Sequence, residues 1–133
     1  MDSLTVDSRD AGGAKVRSHR DLLVRQKAMG LVDRVYDLAD SFPAREGYGL
    51  TSQVTRAVVS VPANIAEGQA RSTAKDFANF LSHCLKSANE SKFWLALLRD
   101  TGKGAKDKIN QLLKELIEIS KILGTSVKTL RSK

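Results

Sequence analysis

The chain has 133 residues, 41% of them hydrophobic and 28% charged, with a formal net charge of +7. A chain this long is one domain rather than two, and it buries roughly two-thirds of its unfolded surface without needing a staple. The lone cysteine, Cys84, excludes an intramolecular disulfide, and no apolar run nears the roughly 20 residues of a membrane span.

Residues 1–18 show no apolar period and read as a disordered tail, leaving 19–133 as the folded domain. Within the first ten, Arg9 stands against Asp2, Asp7 and Asp10, so they carry −2 and the remainder +9. They lack the basic start and apolar run of a secretory signal, so the cytoplasm is the expected location.

Residues 20–42 form the first helix. Val24, Ala28, Leu31, Val35, Leu38 and Phe42 are spaced 4, 3, 4, 3, 4, one stripe on a helix. Pro43 stops it, and 43–49, with Gly47 and Gly49, is a connection. Residues 50–67 form the second, through Leu50, Val54, Ala57, Val58, Val61 and Ile65. The β-branched run at 57–61 has the composition of a strand, but the period on either side is helical. Pro62 removes a backbone donor, so the helix either kinks there or restarts with Ser60 near its cap. Gly68 then offers a left-handed residue to end it.

Residues 73–100 form the third helix, opened by a capping-box pattern of Thr73 with Asp76. Its stripe is Phe77, Leu81, Cys84, Ala88, Ser91, Leu95 and Leu98, and Gly102 and Gly104 end it. Residues 106–130 form the fourth, on Ile109, Leu112, Leu116, Ile119 and Leu123, widened by Leu113, Ile117, Ile122, Val127 and Leu130. That width predicts two neighbours, with another subunit a candidate for one of them. Short connections make consecutive helices antiparallel, so the expected fold is an all-α, up-down-up-down four-helix bundle.

Catalytic and metal signatures are missing from the sequence. Adjacent helical residues such as His83 and Cys84 point about 100° apart, and a zinc site needs about four ligands. Cys84 falls on the apolar stripe and reads as core. The nucleophile elbow, the phosphate loop and the zinc-protease and di-metal motifs do not occur. The expectation is a protein that is not an enzyme and uses no cofactor or metal.

The basic residues are patterned. Arg20, Lys27 and Arg34 repeat every seven residues on the first helix, as Lys114, Lys121 and Lys128 do on the fourth. A seven-residue step returns to nearly the same face, so each helix carries a basic ridge suited to tracking phosphates of RNA or DNA. The bland alternative is a solvated face with local pairs such as Lys114–Glu118 and Arg34 beside Asp33 and Asp37. Aromatic residues are not interleaved with the ridges, which argues against sequence-specific reading of single strands. Phe93 and Trp94 are adjacent and cannot share one stripe, so one of them is expected at a subunit contact.

The stretch Tyr48-Gly49-Leu50-Thr51-Ser52-Gln53-Val54, followed by Arg56 to Gly68 (RAVVSVPANIAEG), resembles the four-helix bundle family of proteins encoded in intervening sequences of bacterial 23S ribosomal RNA genes. The resemblance runs from about Asp21 to Leu130 and includes Phe42-Pro43 and the Phe77, Phe80-Leu81 start of the third helix. The chain departs from the family at Lys92, where a second glutamate often follows Glu90. The resemblance implies a homopentameric barrel, a helix that continues or restarts at Pro62, and no catalytic residues. Ile122-Leu123-Gly124 is similar to the accessory variability determinant of diversity-generating retroelements, which implies nucleic acid and a reverse transcriptase as partners. The expectation is therefore a non-enzymatic, oligomeric, nucleic-acid-binding accessory protein. The alternative is a protein-interaction scaffold with no nucleic-acid role, built on the apolar fourth helix and Phe93-Trp94.

Overall fold

The four apolar periods become four helices: α1 (His19–Asp40), α2 (Tyr48–Gln69), α3 (Ala74–Asp100) and α4 (Lys106–Arg131). The computed structural model describes residues 19–41, 48–102 and 105–132, and no strand occurs among them. The tail at 1–18, the Phe42-Pro43 stop, Gly47 and Gly104 lie outside the described residues.

Burial follows the stripes. All seven α3 stripe residues are buried, as are Val24, Ala28, Leu31, Val35 and Leu38 of α1 and the five stripe residues of α4. Each buried Leu, Ile or Phe side chain contributes roughly 1.5–3 kcal/mol of transfer free energy, and this drives the association. α1 packs on α2 and α4, and α3 packs on α2 and α4. The width of α4 is thus used within the chain. Leu113 and Ile122 pack half-buried against the core, and Ile117 is the one large apolar residue of α4 left exposed among the described residues. The two neighbours that its breadth predicted are α1 and α3.

Two local expectations need correction or refinement. α2 runs unbroken through Pro62 to Gln69. The proline deprives the Val58 carbonyl of a donor, and polar side chains gather on the carbonyls around it. Ser60 Oγ donates to Ala57 O at 2.8 Å, Asn64 Nδ2 to Ser60 O at 2.8 Å, and the Cys84 thiol to Val61 O at 3.3 Å. Gly68 is not a left-handed helix end, because Gly102 is the only described glycine with positive φ, at 73°. Gly68 sits inside α2 because α3 comes too close for a side chain. A Cβ there would lie 2.9 Å from Phe77 Cδ1 and 3.0 Å from Phe80 Cβ.

The helix ends otherwise follow the sequence signals. Thr73 has extended backbone and its hydroxyl accepts from the Asp76 N–H at 3.1 Å, satisfying one of the orphan donors of α3. A polar lock joins α1 to the end of α2: Arg25 Nη1 donates to Gln69 Oε1 at 3.0 Å, and Gln69 Nε2 donates to Asp21 O at 3.3 Å.

Candidate nucleic-acid interface

The two basic ridges have different surroundings. On α1, Lys27 Nζ lies 3.6 Å from Glu118 Oε1, and Arg34 is paired with Glu115. Both acids belong to α4, where a three-residue step puts them on one side, facing α1. Of the α1 ridge only Arg20 is exposed and without an acid partner among the described residues. Glu118, which the sequence offered to Lys114 as a local partner, is engaged across the helix seam instead.

On α4, Lys114, Lys121 and Lys128 are all exposed and pair with no acid among the described residues. They span two seven-residue steps, about 21 Å of helix. Gly124 lies between the second and third lysines, and no other element among the described residues comes within 4 Å of where its Cβ would be. A shallow depression there is lined by Gly124, Thr125, Lys128 and Arg131. Arg131 Nη2 donates to Ser82 Oγ of α3 at 3.0 Å, tying the end of this ridge to α3.

Charge divides the same way. α1 carries four cations and four anions and α2 one of each, whereas α3 carries four against three and α4 six against three. The half made of α1 and α2 is therefore neutral, and the half made of α3 and α4 carries +4. A field of one sign concentrated on one side attracts polyanions more effectively than the same charge spread evenly.

Phe93 and Trp94 diverge. Phe93 is 59% exposed, while Trp94 is half-buried against the core. Their rings meet edge to face, with centroids 5.0 Å apart.

His83 and Cys84 also part company. His83 is exposed, with Phe80 edge-on at 6.2 Å, whereas Cys84 is fully buried. Desolvation pushes the Cys84 thiol up to about 12, so it stays protonated and is a packing group rather than a nucleophile or ligand. A polar recess between α2 and α3 is lined by Asn64, His83, Lys86, Ser87 and Glu90. Among the described residues, no three His, Cys, Asp or Glu side chains come together to hold a metal, and no helix is long and apolar enough to cross a membrane.

Residues 20–125 match the family described as 23S rRNA-intervening sequence protein. The chain belongs to that family. A similar solved structure is that of a protein of unknown function from the S23 ribosomal protein family of Bacteroides thetaiotaomicron. It superposes with a TM-score of 0.75 at 30% sequence identity, over 82% of this chain and 98% of that one. No curated protein matches the chain.

Sequence reading missed the roles of Glu115, Glu118 and Gln69. Their signal was present only in part. Glu115 and Glu118 sit on the α1 side of the α4 apolar stripe, but a cross-helix partner cannot be read from one helix alone.

Proposed function

We propose that this family member is a non-catalytic, oligomeric nucleic-acid-binding accessory protein that acts by charge and shape. The observation that carries the reading is the unpaired row Lys114, Lys121 and Lys128, on the half of the molecule that holds the helical charge surplus. The contacts Gly68 to Phe77, Cys84 to Val61 and Arg131 to Ser82 support an antiparallel, up-down-up-down path. The finer reading, a homopentamer serving a retroelement reverse transcriptase, rests on the family resemblance.

Three phosphate contacts release counterions, so log K should fall with log salt at a slope of about −2 for single-stranded ligand. Reversing Lys114, Lys121 and Lys128 to Glu should abolish binding in a fluorescence anisotropy titration at low salt. Salt-insensitive binding, or binding that survives the reversal, would sink the proposal.

A second reading, a scaffold for a protein partner, has an observation of its own. Met29, Tyr36 and Val59 are exposed apolar residues of the neutral α1–α2 half. A specific protein recovered after nuclease treatment, and lost with Met29→Glu, would favour it.

A further inference from the structure

The α3–α4 register brings the exposed Phe93 to the level of the α4 lysines. Two side-chain bonds set the register of this seam: Arg99 Nη1 donates to Asn110 Oδ1 at 2.9 Å, and Arg131 Nη2 donates to Ser82 Oγ at 3.0 Å. Phe93 lies eleven residues after Ser82, three turns along nearly the same line of α3. Ile117 lies seven residues after Asn110, two turns along nearly the same line of α4. Between the two bonds, Phe93 and Ile117 lie at the same level of the two antiparallel helices. They are also the exposed large apolar residues of this half among the described residues, at 59% and 46%. Lys114 and Lys121 flank Ile117 at three residues before and four after, so they share its face of α4. Glu90, the acid nearest Phe93 in sequence, lines the recess on the α2 side instead.

A flat ring held level with a row of cations is the combination that single strands need. Phosphates follow the charges while an unstacked base lies on the aromatic face, without dependence on sequence because every base has a π-face. A duplex keeps its bases stacked and offers nothing to the ring. We propose that the ligand of this surface is single-stranded nucleic acid, with one base stacked on Phe93 and its flanking phosphates on Lys114 and Lys121. This rests on the nucleic-acid reading of the α4 ridge and adds the class of strand. Stacking needs only one aromatic and gives no sequence preference, so it is compatible with ridges that have no interleaved aromatics.

The ring carries a reporter. Trp94 is the only tryptophan, and its ring centroid is 5.0 Å from that of Phe93. A base arriving on Phe93 should therefore alter Trp94 emission.

The experiment titrates the full chain with a 5′-labelled uridine 20-mer and with a duplex of equal length. Anisotropy, Trp94 emission and light-scattering mass are followed for wild type, Phe93→Ala, Phe93→Tyr and the triple lysine-to-glutamate variant. Phe93→Ala should weaken single-strand binding by about tenfold or more and leave duplex binding within about twofold. Phe93→Tyr should keep wild-type affinity, and only the single strand should change Trp94 emission. Equal effects of Phe93→Ala on both ligands, or none on either, would overturn the stacking proposal while leaving the ridge intact. A change of mass in Phe93→Ala would overturn it in favour of Phe93 as a contact between copies. Failure of the triple variant to lose binding would instead overturn the nucleic-acid reading beneath it.

Discussion

Gly68 and Cys84 show how tightly single residues are fixed between α2 and α3. The Cβ of an alanine at 68 would press on Phe77, which is 1% exposed and has nowhere to go. Overpacking of this kind costs roughly 1–3 kcal/mol, against at most about 1 kcal/mol gained in helix propensity near a helix end. Gly68→Ala should therefore lower the urea midpoint without changing the slope, and an unchanged or higher midpoint would refute the close-approach account. Cys84 makes a pH prediction. Its thiol is raised from 9.0 to about 12 in the fold, so the folded state holds this proton more tightly than the unfolded chain. Its stabilisation is complete below about pH 9 and declines as pH rises toward 12. Stability measured by denaturant from pH 8 to 10.5 should fall more steeply for wild type than for Cys84→Ala. Parallel curves would mean that the thiol is not desolvated. The glycine's reason was hidden in the sequence, because Phe77 reaches residue 68 only once α3 has folded back. The cysteine's was visible, because it lies on the stripe.

At the scale of elements, most of the fold was legible. The 3.6-residue period gave four helices to within a few residues, and Thr73, Pro62 and Gly102 each marked a feature of its helix. The β-branched run at 57–61 is helical because Val58 and Val61 face the core on a helical period that a strand would break. The ridges were legible as patterns but not in their availability. Seven-residue spacing says which charges share a face, and only packing says what faces them. Lys27 and Arg34 meet Glu118 and Glu115, whereas Lys114, Lys121 and Lys128 meet solvent. Neutralising the two ridges should therefore have opposite emphasis. Lys27→Gln with Arg34→Gln should change stability by less than about 1 kcal/mol per exposed pair and lower affinity for RNA less than loss of the free ridge does, since it removes net charge but no lysine of that ridge. Lys114→Gln with Lys121→Gln should leave stability unchanged and reduce affinity several-fold. Equal losses of affinity from the two pairs would show that overall charge, and not the free ridge, attracts the ligand.

On the scale of the whole molecule, the neutral half has its own apolar features. Arg25 reaches Gln69 of α2, and Met29, Val32 and Tyr36 follow it by four, seven and eleven residues along the same line of α1. Val59 is one turn past Thr55, which lines a crevice with Leu38 and Ala39 of α1, so it joins that rim from the α2 side. On the opposite flank of α1, Leu23 is also exposed, one turn before Lys27 on the α4 side. Different apolar residues on the two flanks of one helix suit heterologous, head-to-tail contact, which forms a ring when the rotation between copies closes, rather than a two-fold dimer. Such a ring would gather the neutral halves at the contacts and leave the basic α3–α4 halves outward. Each copy would then offer its ridge to the same strand, and linked sites gain affinity by effective concentration without a new contact. Val59→Glu should therefore shift the light-scattering mass to that of a single 14.5 kDa chain with helicity intact. RNA affinity should fall by about 100-fold or more although every ridge lysine remains. A wild-type protein already monomeric, or a Val59→Glu variant that keeps both its mass and its affinity, would separate nucleic-acid binding from assembly and confine it to the single ridge.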